Sequence, residues 1–113
     1  MEKIKIAIPT KEKGGMSDTV SDVFGRAKTF TLIDLEGKEI KDIEIVQNTA
    51  ASYKHGAGPI AVKILVDMKV DKVMAGEVGT GVSSLLKEFN VEKIDVTPNT
   101  PVTNAIKKIT HTL

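Results

Sequence analysis

The apolar pattern of this chain changes character at His55-Gly56-Ala57-Gly58. Ahead of that stretch, apolar residues keep the close spacing of strands. Beyond it, helical patterns alternate with short apolar runs. Glycines at such a point let the backbone approach another group closely and open the first turn of a helix. The free N–H groups of that turn attract anions. The pattern that follows runs from Ile60 to about Lys69 and places Ile60, Ile64, Leu65 and Met68 on one helical face.

The rest of the chain falls into order around this point. Lys3-Ile4-Lys5-Ile6-Ala7-Ile8 alternates as a strand and stops at Pro9. Residues 9–27 form a long connection with Gly14-Gly15, a length that marks a functional or mobile loop. Residues 28–35 are rich in Thr and β-branched side chains and read as a second strand. Glu36-Gly37 turns the chain into a hairpin partner over 38–47, bulged where the apolar spacing slips from two to three between Ile40 and Ile43. A second long loop, 48–58, leads to helix one. Val70 to Ala75 is a short buried strand, and Gly76-Glu77-Val78-Gly79-Thr80-Gly81 a third glycine loop. Helix two carries Val82, Leu85, Leu86 and Phe89 and closes at Asn90. Val91 to Val96 is the last strand. Thr100 is expected as N-cap and Pro101 as first residue of helix three, which uses Val102, Ala105, Ile106 and Ile109. The tail, His111-Thr112-Leu113, is expected to fray.

The element order is therefore β-β-β-α-β-α-β-α in one α/β domain spanning 1–113. A right-handed βαβ step makes parallel neighbours, and the hairpin makes strand two antiparallel. The sheet is expected to be mixed and five-stranded, in order 3-2-1-4-5, with three helices. The loops at 9–27, 48–58, 76–81 and 97–100 then share one end of it. Ligands of open α/β sheets bind outside the carboxyl ends of the strands, at the switch point, here between strands one and four.

Composition narrows what can bind there. The chain has 113 residues, 41% apolar and 27% charged, and a net charge of +1, which gives no electrostatic case for nucleic acid or a membrane surface. No apolar run approaches bilayer length and the start lacks a signal-peptide core, so a cytoplasmic location is expected. The absence of cysteine removes disulfides, thiol catalysis and Cys-ligated metal sites. Any metal must be held by His, Met, carboxylate or backbone groups, or arrive with its own ligands.

Each candidate motif has a plainer reading beside it. His55-Gly56-x-Gly58 offers an imidazole for a metal and helix N–H groups for an anion, or is a loop that needs glycines to turn. Gly76-x-x-Gly79-x-Gly81 suits close backbone approach to a ligand. It lacks the spacing of a dinucleotide fingerprint and the Gly-Lys-Ser/Thr of a P-loop. Glu77 within it is a ligand or a solvated charge. Arg26 is the only arginine; it is a bidentate fork for an anion, or it closes its loop structurally. Met16 is a soft ligand, a lid or an unpacked loop residue. His111 lies in the tail and is not assigned a role. The element order invites comparison with ribonuclease H, but strand one carries no carboxylate and Asp34 lies at the wrong end of strand two, so two-metal nuclease chemistry is rejected.

Four elements in order resemble the dinitrogenase iron–molybdenum cofactor biosynthesis family over essentially the whole chain. They are Ile4-Lys5-Ile6-Ala7-Ile8-Pro9, Val20-Ser21-x-x-Phe24-Gly25-Arg26-Ala27, His55-Gly56-x-Gly58 and Ala75-Gly76-x-x-Gly79. The resemblance implies a ribonuclease H-like fold without nuclease acids. It also implies a non-enzymatic carrier that passes an iron–sulfur or iron–molybdenum cluster, or its precursor, between cluster-assembly proteins and the apo-enzyme. On that reading His55 ligates the metal. The N–H groups of Gly56 to Gly58 and Gly79 to Gly81, with Gly76 in the same loop, face the anionic sulfides, and Arg26 orients or neutralises. Some members of the family carry histidine before Phe-Gly-Arg; here the residue is Val23, which removes one candidate ligand. That departure motivates the alternative of a regulatory or interaction module that binds a small anion or a partner protein. An enzyme acting on a phosphorylated metabolite is disfavoured, because no general base with a partner can be named.

Overall fold

The computed structural model describes residues 2–110. Five strands, β1 (Lys3–Thr10), β2 (Thr29–Glu36), β3 (Glu39–Gln47), β4 (Lys72–Ala75) and β5 (Glu92–Asp95), form one sheet in the order β3-β2-β1-β4-β5. β2 is antiparallel to both β1 and β3, while β4 is parallel to β1 and to β5. Three helices complete the domain: α1 (Ala57–Asp67), α2 (Thr80–Glu88) and α3 (Val102–Thr110). The expected α/β architecture is the observed one, switch point between β1 and β4 included. The tail at 111–113, with His111, lies outside the described residues.

Strand alternation divides the core into two layers. On one face Ala7, Phe30, Leu32, Val73 and Ala75 lie under α1 and α2, which contribute Ala61, Val62, Leu65, Val82 and Leu86. On the other, Ile6, Ile8, Ile33, Leu35 and Met74 meet Val102, Ala105 and Ile106 of α3. Leu65 is buried in α1 as expected, but the stripe it shares is Ala61-Val62-Leu65; the expected Ile60, Ile64 and Met68 are only partly buried at its flank. Alanines let the helix sit close to the sheet. Phe89 ends α2 exposed instead of packing, while Asn90 takes the left-handed conformation that closes the helix.

Several boundaries differ for local reasons. β1 continues through Pro9 to Thr10; Pro9 pairs with Phe30 and lies past the residues in register with β4. Its carbonyl accepts the Ser21 N–H at 2.8 Å. Pro101 does not open α3. It bridges to Thr19 as a strand residue, and its carbonyl accepts the N–H groups of Asn104 and Ala105. The bulge in β3 falls between the pairs Asp34–Asp42 and Leu35–Ile40, leaving Lys41 as the extra residue, as the isoleucine spacing implies.

The connection between β1 and β2 is tied into the body. Val20 is buried and donates to the Thr100 carbonyl, and Asn99 donates to the Val20 carbonyl. Met16 packs partly buried against the α3 layer. Ahead of these, the Asp18 carboxylate accepts the N–H groups of Glu12 and Gly14, each at 2.8 Å, and of Thr19. Burial pushes the Asp18 carboxyl up, but the backbone N–H groups of Thr19, Glu12, Gly14 and Lys11 outweigh it and hold it below the ordinary carboxylate value.

Candidate functional site

At the carboxyl ends of β1 and β4 the three glycine-bearing loops meet in an open groove of about 390 Å3. The turn at 22–26, the start of α1 and the loop before α2 each supply part of it, with Arg26, Gly25, Gly58 and Gly79 among its lining residues. The glycines do different jobs. A Cβ on Gly25 would stand 2.6 Å from the Gly58 nitrogen, and one on Gly58 would stand 2.7 Å from Val82 Cγ2. What Gly25 and Gly58 let in close is therefore the protein's own: backbone at Gly25 and the Val82 side chain at Gly58. Phe24, buried, packs edge-on against Phe30 at 5.3 Å between ring centres and anchors the turn from beneath.

Gly56 is the N-cap of α1 and sits at φ +76°, a conformation that disfavours any side chain. Gly79 and Gly81, at the start of α2, have ordinary or helical backbone and nothing within 4 Å of a built Cβ. Neither packing nor conformation requires glycine at these two positions. Gly76 lies apart from the groove, where a Cβ would meet Pro98 at 2.9 Å, and lines a neighbouring hollow of about 470 Å3.

Both helices begin without a side-chain cap and without an acidic residue in the first turn. The N–H groups of Thr80, Gly81 and Val82 find no acceptor within the described residues. In α1 the first turn offers Ala57 and Gly58 only, because Pro59 has no N–H. Two positive helix ends thus converge on one groove. Asp22 and Glu77 also line it, and both are exposed, so water screens their charge.

His55 is exposed and does not line the groove; it lies on the adjoining loop. Arg26 is what holds that loop: its guanidinium donates to the carbonyls of Ala51 (3.1 Å) and Lys54 (2.8 Å). Of the sequence-named residues, the groove gathers Arg26, Gly58 and Gly79; His55, Gly56 and Gly81 are outside its lining, and Gly76 lines the neighbouring hollow. Sequence reading passed over Asn48. Its buried side-chain amide donates to the carbonyls of Gly25 (2.9 Å) and Ala27 (2.8 Å), and its oxygen accepts the Ala50 N–H. Asn48 caps a short 3-10 turn, Thr49–Ser52, and asparagine ahead of Thr-Ala-Ala was the available signal. Among the described residues, no group of three or more His, Asp or Glu is placed to hold a metal ion.

Comparison with known proteins gives these loops a family. The dinitrogenase iron-molybdenum cofactor family matches residues 2–112. The chain belongs to that family. It is 32% identical to a NifB-like protein from Thermotoga, covering 96% of this chain and 88% of that one, with a TM-score of 0.77. It is 26% identical to the orange protein of Desulfovibrio gigas, solved in its apo form, covering 92% and 84%, with a TM-score of 0.82. An uncharacterized protein of Methanocaldococcus jannaschii is 29% identical over 89 residues, 79% of this chain and 71% of that one. Family and neighbours point to a small cofactor-related protein, and no helix of the described chain is long and apolar enough to cross a membrane.

Proposed function

We propose that this chain is a non-enzymatic carrier for an iron–sulfur or iron–molybdenum cluster or its precursor, received from and passed to cluster-assembly proteins. The observation that carries this is the pair of uncapped helix starts converging on a glycine-lined groove. A tightly held transition-metal ion such as zinc takes three or four side-chain ligands, and the described residues gather no such group. A cluster brings its own sulfides and its own negative charge, so it needs N–H donors, room for close approach and few ligands. The α2 start beside the groove supplies donors from Thr80, Gly81 and Val82, and Gly79 leaves space in its lining, with Gly56 and Gly58 setting the α1 start. His55, exposed beside the groove, is the imidazole available as a ligand. Membership of the dinitrogenase-cofactor family and likeness to the orange protein support the same reading.

Anaerobic titration with isolated iron–molybdenum cofactor, followed by gel filtration and metal analysis of the protein peak, tests it. Co-elution that weakens in His55→Ala is expected. Co-elution unchanged by His55→Ala removes histidine from the site and leaves the backbone donors. No co-elution with well-folded protein overturns the carrier reading.

One observation favours a second reading. Val23, at the position before Phe-Gly-Arg, is 47% exposed and lines the groove with an apolar side chain. A regulatory module that binds a small anion or a partner protein needs no ligand there. It predicts a thermal shift with inorganic phosphate and none with cluster.

A further inference from the structure

We propose that Arg26 and Asn48 are positioning residues: together they clamp the 48–55 loop to the 24–27 turn, and Arg26 serves cargo binding through that clamp instead of through its charge. This rests on the carrier reading for its effect on binding, but the clamp itself is a property of the empty protein.

The geometry of the two side chains carries the argument. Arg26 leaves the 24–27 turn and spends both terminal nitrogens on carbonyls of the other loop, Ala51 and Lys54. Asn48 starts in that other loop and spends both amide hydrogens on carbonyls flanking Arg26, Gly25 and Ala27. The two side chains thus cross the same gap in opposite directions, with four hydrogen bonds between them. Lysine cannot replace Arg26 in this role, because a point ammonium cannot span two carbonyls as a planar fork does. The clamped segment ends at Lys54, the residue before His55, and Gly56 then caps α1. Arg26 therefore sets where His55 leaves the loop and how the 24–27 turn lies on Gly58. A guanidinium already engaged by two carbonyls has less to offer an anionic cargo.

Two variants separate position from charge. Arg26→Lys keeps the charge and loses the fork; Arg26→Gln loses both. Amide hydrogen exchange is followed at Ala51 and Tyr53, whose N–H groups donate to the carbonyls of Asn48 and Ala50. In the cargo-free protein both variants are expected to exchange faster there by about tenfold, the cost of loosening hydrogen bonds from a charged donor. Melting temperature should stay near wild type, since Arg26 is exposed. Affinity for isolated iron–molybdenum cofactor should fall alike in both variants, with the salt dependence of binding unchanged. Exchange at wild-type rates in both variants overturns the clamp. Affinity retained by Arg26→Lys and lost by Arg26→Gln, with a weaker salt dependence, overturns positioning in favour of charge. If wild-type protein binds no cofactor, the carrier reading fails while the exchange experiment still decides the clamp. Asn48→Asp, which keeps the acceptor for Ala50 and loses both donors, should accelerate the same amides; unaltered exchange in it removes Asn48 from the clamp.

Discussion

At the scale of the residue, the glycines of the site are not interchangeable. Gly25 has backbone 2.6 Å from where its Cβ would be, and backbone cannot swing aside as a side chain can. Gly25→Ala should therefore cost about 1–3 kcal/mol or more of stability, as overpacking does, read by urea denaturation. Gly79→Ala meets nothing within 4 Å and has an ordinary φ of −64°. It should fold with wild-type stability, and its methyl should weaken binding of isolated iron–molybdenum cofactor. Destabilisation by Gly79→Ala would mean that glycine is kept there for the fold. In the sequence all these glycines read alike, as places where something comes close. Only the atoms around each one separate glycines that admit the protein's own backbone from those that leave space open.

At the scale of the element, the β1–β2 connection shows how a long loop is made part of a fold. The Asp18 carboxylate gathers three backbone N–H groups, and its pKa is held down although burial works the other way. The sign of the pH effect follows. A folded-state pKa below the unfolded value contributes stability that is present above the ordinary carboxylate range and lost as pH falls through the folded value. Thermal melts between pH 6 and pH 2 should show a decline in wild type that is shallower in Asp18→Asn, with the variant less stable at neutral pH. Equal slopes would remove Asp18 from the acid transition. At the far edge of the sheet, β3 exposes Ile40, Ile43 and Ile45 but also carries the Lys41 bulge and the charges Asp42 and Glu44. Such features blunt an edge strand against pairing with another chain.

At the scale of the whole molecule, the two layers depend on unequal cover. Two helices close the Ala7–Phe30–Leu32 face, while α3 is the helix packed on the Ile6–Ile8–Ile33 face. Ile106, 2% exposed in the middle of α3, should therefore be costly to truncate. Ile106→Ala is expected to lose about 2–5 kcal/mol in denaturant unfolding, with a single transition, because a cavity there opens the layer common to β1, β2 and β4. A loss below about 1 kcal/mol would show that α3 can close over the gap.

The sequence by itself determined the element order, the mixed sheet in order 3-2-1-4-5 and the end of the sheet where the glycine loops gather. Period-two and period-3.6 patterns bury one face of each element, and right-handed crossovers leave few topologies to choose between. The family was legible too, because its four motifs are local in sequence. What only the tertiary structure decided are relations between loops far apart in the chain. The α1 stripe kept Leu65 but turned from Ile60, Ile64 and Met68 to Ala61 and Val62, because small side chains let the helix pack close to the sheet. Gly58 met Gly25 and Val82, Gly76 met Pro98, and Arg26 found the carbonyls of Ala51 and Lys54. Side chain-to-backbone hydrogen bonds leave no periodic signal, since any residue's carbonyl is an equal acceptor. Which carbonyl lies within reach is settled by packing alone.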